Sequence, residues 1–70
     1  MDEWKPYRDG ASTRAYPHGI HAVVFPVRGG FAWGVAMWVG SWLSDAPAAS
    51  EAGARERAEA EAERRVRWVA

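Results

Sequence analysis

The sequence has no cysteine. That absence excludes disulfides and any thiolate-ligated zinc or iron–sulfur centre. It also fits a reducing compartment, so a cytoplasmic location is expected. Net charge is absent as well. Nine basic and nine acidic residues cancel, leaving no global field to draw the chain toward nucleic acid or an anionic membrane. Long hydrophobic runs are lacking too. The longest uncharged stretch, Gly29 to Ser44, is broken by glycines and is shorter than the ~20 residues a membrane-spanning helix needs. The opening MDEWKPYRDG has no basic-then-apolar signal pattern. No membrane partner is expected.

What is present is aromatic and alanine-rich. Five tryptophans occur in 70 residues. A chain of this size builds one small domain whose core supplies only a few kcal/mol. Large aromatic side chains, each able to bury roughly 150–250 Å², are the expected compensation. Eight of the nine basic residues are arginine, a bias that fits a GC-rich bacterial or phage genome.

Three regions differ in character. Residues 1–19 carry Pro6, Gly10, Pro17 and Gly19 as breakers and read as an irregular arm. Within it, EWKPYR or TRAYP could add a short edge strand. Residues 20–43 read as a β-hairpin. IHAVVFPVR is rich in β-branched and aromatic residues, Gly29-Gly30 follows, and Phe31 to Leu43 is a second strand-like run. Paired glycines adopt the positive φ that tight hairpin turns require. Pro26 cannot donate to a ladder, so this strand should have an open side or a bulge there. Residues 46–69 are strong helix formers, with Ser44, Asp45 or Ser50 as candidate caps. Glu51–Arg55, Glu61–Arg65 and Glu63–Arg67 have the favourable i,i+4 order.

A two-residue Gly29-Gly30 loop sets a register that pairs Arg28 with Phe31 and Val24 with Val35. One face then carries Ile20, Ala22, Val24, Phe31, Trp33, Val35, Met37 and Val39. The helix offers Ala54, Ala58, Ala62, Val66 and Val69 at spacings of three and four. Small residues on the helix against large ones on the sheet predict a two-layer α+β fold: an antiparallel hairpin or three-stranded sheet packed on one C-terminal helix.

The opposite face is also apolar, with His21, Val23, Phe25 and Val27 set across from Trp38, Ala36, Gly34 and Ala32, and Trp42 further along. A half-exposed sheet should alternate apolar with polar. Trp4, Tyr7 or Tyr16 from the arm, a second copy or a partner is therefore expected to cover this face. The candidate binding residues are Phe25, Trp38, Trp42 and His21. Arg28, Arg8 and Arg57 join them, because interface hot spots favour aromatics and arginine.

Catalytic chemistry is not signalled. His18 and His21 flank a glycine with no third metal ligand in sight, and no nucleophile–base arrangement stands out. A phosphate loop needs a helix after its glycines, whereas Gly29-Gly30 precedes a strand. The chain is not expected to be an enzyme, and no cofactor or metal is expected.

Two resemblances bear on function. Ser50 to Ala58 (SEAGARERA) with Ala62 is similar in spacing to the last helix of double-stranded RNA-binding domains, which packs on a three-stranded sheet. Those domains place lysines after the serine to hold phosphates, where this chain has Glu51 and Ala52. Bases could also stack on sheet aromatics, with Lys5, Arg8, Arg14 and Arg28 as the cations. Second, the run HAVVFPVRGGFAWGVAMWV leading into an Ala/Glu/Arg-rich helix resembles small phage and mobile-element proteins, anti-CRISPR proteins among them. That resemblance implies a non-catalytic protein-binding module that blocks a host defence complex, such as a CRISPR effector, by occupying its surface. The alternative is a nucleic-acid-binding module. A homodimer through the apolar face is a third arrangement.

Overall fold

A computed structural model describes residues 3–69. Five strands, β1 (Lys5–Pro6), β2 (Ser12–Tyr16), β3 (Ile20–Val27), β4 (Gly30–Met37) and β5 (Gly40–Leu43), precede one helix, α1 (Glu51–Val69). The strands form a single antiparallel sheet in sequence order. The fold is α+β in two layers, with five strands in place of the expected two or three.

The extra strands come from both flanks of the predicted hairpin. Of the two readings of residues 1–19, the edge strand holds for EWKPYR, which contributes β1; TRAYP lies in β2, which is an interior strand. Their links are 3-10 turns, Arg8–Gly10 and Pro17–Gly19, in which Asp9 (φ 58) and His18 (φ 68) take the left-handed conformation. Polar residues of this kind tolerate that conformation better than most. Residues 20–43 hold three strands, because the run from Phe31 to Leu43 reverses at Trp38–Val39, where Met37 pairs with Gly40. Trp38 and Val39 keep negative φ, and Gly40 (φ 152) absorbs the reversal.

The first hairpin turns at Arg28–Gly29, with Gly29 at φ 88, so Val27 faces Gly30 and Val24 faces Trp33. Relative to the expected register every pair is displaced by two residues. A slip of two keeps each side chain on its face, whereas a slip of one would exchange the faces. Pro26 lies beyond the end of β2, opposite the turn at Gly10, where no ladder donor is needed. That is the open side its missing N–H requires.

The helix begins at Glu51, not at residue 46. Ser50 is the cap, its Oγ accepting from the Gly53 N–H at 3.1 Å. The segment before it has another role: Phe31 and Ala48 exchange two backbone hydrogen bonds of 2.8 Å, extending the sheet past β5.

α1 lies over β3 and β4. Ala54, Ala58 and Ala62 are fully buried against Ile20, Ala22, Val24 and Val35. Small residues on the helix let the two layers approach closely. No tryptophan belongs to the fully buried set; Trp4, Phe31, Trp33, Met37 and Val66 wall the core. Two residues expected inside are outside: Val39 in its turn is 68% exposed and Val69 at the helix end 56%.

Charged side chains fasten the N-terminal strands to the helix. Glu59 accepts from Trp4 Nε1 at 2.6 Å and from Arg14 Nη1 at 2.9 Å. Arg55 stacks on the Trp4 ring, with its guanidinium carbon 5.2 Å from the centroid, and bonds Glu51. The aromatics at positions 4 and 16 are thereby committed to the helix side of the sheet.

Candidate functional site

The sheet face turned away from α1 is the uncovered one. The alternation along the strands places Lys5, Ala11, Thr13, Ala15, His21, Val23, Phe25, Val27, Ala32, Gly34, Ala36, Ser41 and Leu43 on it. Lys5, at the β1 edge, is the one charged residue among them. Val27 is 38% and Leu43 48% exposed, while Val23 and Phe25 are half-buried. Gly34 keeps the middle of the face low, because a Cβ there would overlap the Trp42 carbonyl.

Among the described residues, Tyr7 is the one aromatic of the N-terminal region on this face. Tyr7 projects from the end of β1, 60% exposed, and separates two shallow hollows. One, of about 400 Å³, is lined by Tyr7, Arg8, Asp9, Val23, Phe25 and Pro26 among others. The second, of about 340 Å³, is lined by Tyr7, Thr13, His21, Val23 and Ala36. The Arg8 guanidinium sits 5.3 Å from the Tyr7 ring centroid, so with Lys5 and Asp9 it gathers the charges at the β1 end of a largely apolar surface. Of the three arm aromatics expected to cover the face, Tyr7 alone lies on it.

The predicted binding residues divide. Phe25 and His21 lie on the uncovered face, and Arg8 joins them through Tyr7. Arg28 sits in the β3–β4 turn at one end of that hairpin, and Trp38, 87% exposed, in the β4–β5 turn at the other. Eight strand residues separate those ends, about 26 Å at the usual rise. Arg57 is on the solvent side of α1, in the other layer. Trp42 is a correction. The reversal at Trp38–Val39 pairs it with Val35, which puts it on the helix side of the sheet. There its ring meets Trp33 edge-on at 5.5 Å. Leu43 takes the outward place.

Arg14, one of the four cations that would have lined a basic groove, is also on the helix side. It is paired with Glu59 and lies 5.2 Å from the Tyr16 ring centroid. Tyr7 and Leu43 are the additions that sequence reasoning missed. Tyr7 could be found only by pairing Lys5 with Thr13, and Leu43 only by recognising the second hairpin.

Two titrations are displaced, one on α1 and one on the face of β2 that the helix covers. Burial raises the Tyr16 hydroxyl above its ordinary value; Arg14 opposes that shift, and Glu59 and Glu63 reinforce it. Burial alone would raise Glu61 as well. Hydrogen bonds from Arg65 and Arg64 outweigh that effect and hold its carboxyl below the usual range. The described residues contain no group of three metal-type ligands. No described helix is long and apolar enough to cross a membrane. The face as built can bury apolar groups and present a tyrosine hydroxyl, an imidazole, an ammonium and a guanidinium at its edge.

Comparison of the chain with protein families, characterised proteins and solved structures finds no match.

Proposed function

We propose that the chain is a small non-catalytic protein-binding module that engages its partner through the uncovered sheet face. The reading takes it to be a phage or mobile-element inhibitor that blocks a host defence complex, such as a CRISPR effector, by occupying a surface. The observation that carries the binding role is a largely apolar sheet face, with two hollows on either side of Tyr7 and charges confined to its β1 end at Lys5, Arg8 and Asp9. Contiguous apolar surface of this kind costs solubility and is kept where a partner covers it. Tyr7 and Arg8 are the anchors of the types that dominate interface energetics.

The inhibitor reading is tested in cells with an active CRISPR system, by measuring plating of a targeted phage with and without the expressed chain. Restored plating by the wild type, lost with Val23→Lys, supports both the class of partner and the face. Restored plating that survives Val23→Lys moves the contact elsewhere. Unrestored plating with a folded, expressed chain removes the defence-complex reading. A thermal melt by circular dichroism establishes that the variant is folded.

A further inference from the structure

The two edges of the sheet are not equally protected. β1 ends one side with two residues, Lys5 and Pro6. A lysine and a proline on a short strand discourage pairing with another chain. β5 ends the other side with Gly40-Ser41-Trp42-Leu43, uncharged, free of proline and exposed at all four positions. Its free backbone groups can be identified. Ser44 N–H donates inward to the Trp33 carbonyl at 2.9 Å, so Trp42 and Gly40 also bond inward and Ser41 and Leu43 point outward.

Large apolar side chains gather around that edge. Val39, Trp42, Leu43 and Trp68 are four of the eight exposed large hydrophobics among the described residues, whereas Trp38 lies over Gly19 on the β3 side of its turn. Leu43 is on the outer face and Trp42 on the helix side. Arg65 ties Trp68 to this group, its guanidinium carbon lying 5.8 Å from the ring centroids of both Trp42 and Trp68. Glu61 neutralises that guanidinium at 2.8 Å. The free strand is therefore flanked above and below by apolar surface.

We infer that β5 is a dimerisation edge, pairing antiparallel with β5 of a second copy to make one continuous sheet across a two-fold axis. Identical strands are self-complementary in this arrangement: Ser41 faces Leu43 of the partner subunit and they exchange both backbone bonds. Trp42 then meets Trp42 of the partner subunit at the axis, in the non-hydrogen-bonded class of pair, where side chains come closest. A two-fold contact needs a patch that matches itself, and a strand without charge presents no like-charge conflict to its own copy. The exposed parts of Val39, Trp42, Leu43 and Trp68 come to roughly 450 Å² per copy if a full Trp is taken as ~250 Å². That is little more than half of the about 800 Å² a standard interface buries per partner, so the dimer is a weak one held chiefly by the paired backbones. The dimer leaves the outer face open and doubles it, so it does not depend on the function proposed for that face.

The experiment is sedimentation of the full chain over a concentration series, read together with amide hydrogen exchange. The wild type should become dimeric along the series, with Ser41 and Leu43 amides slowing as concentration rises. Leu43→Lys should raise the dissociation constant about tenfold or more, with an unchanged thermal melt at low concentration. Trp68→Ser, on a different element, should weaken the dimer in the same direction. A chain that stays monomeric up to about 1 mM overturns the inference. So does a dimer that survives Leu43→Lys and is lost in Val23→Lys, which would place the contact on the outer face. Protection of Ser41 and Leu43 only on adding a different protein overturns it too, by giving the edge to another chain.

Discussion

Ile20 and Val27 stand at the two ends of β3 and on opposite faces of the sheet. Ile20 is 1% exposed and Val27 38%. Both are β-branched and apolar, so their own chemistry does not explain the contrast. The helix does. Ala54, Ala58 and Ala62 come down on the face that holds Ile20, and among the described residues no element of comparable size comes down on the other. Burial here is a property of the layer that arrives, not of the residue that waits for it.

The comparison can be broken by substitution. Ile20→Ala removes atoms from a fully buried site and should cost about 2–5 kcal/mol, read as a lowered midpoint in chemical denaturation. For a chain this small that is a large share of the total. Ala58→Leu should cost about 1–3 kcal/mol, because the close approach of helix and sheet leaves no room for added methylenes; a neutral result would show that the layers can separate at little cost.

Acid should act on the helix layer next. Glu61 has a depressed pKa in the folded chain. Its contribution is therefore fully present above the unfolded carboxyl value, near 4.3, and is lost as pH falls through the lower folded value. Arg65→Met should flatten that part of the stability profile and leave the rest in place. The smallest effect belongs to the open face. Val27→Lys should shift stability by no more than about 0.5 kcal/mol, and a loss as large as that of Ile20→Ala would mean that the face is covered after all.

Much of this was legible beforehand, and the errors have physical causes. The helix, its alanine stripe and the inner face of β3 and β4 follow from local periodicity, which survives a register slip of two residues. The reversal at Trp38–Val39 does not announce itself. Neither residue is a turn former, and the conformational demand falls on Gly40, which looked like one more glycine in a strand. Because that turn was missed, the alternation was carried through it unbroken, and Trp42 was assigned to the wrong face. The arm was under-read for a related reason: β1 and β2 are short and proline-flanked, and they become strands by pairing with β3.

The stretch from Gly29 to Trp42 contains three of the five tryptophans, and they end in three environments. Trp33 walls the core, Trp42 packs against it beside the free edge, and Trp38 sits in the open at a turn. The sequence by itself determined that apolar side chains would line both faces of this sheet and that a narrow alanine stripe would cover one, since period and residue size are local properties. Which tryptophan lies on which side, and that β5 is left with a free edge, was decided only by where the chain reverses and which strands find each other. Those choices depend on contacts between distant residues, which no local pattern encodes.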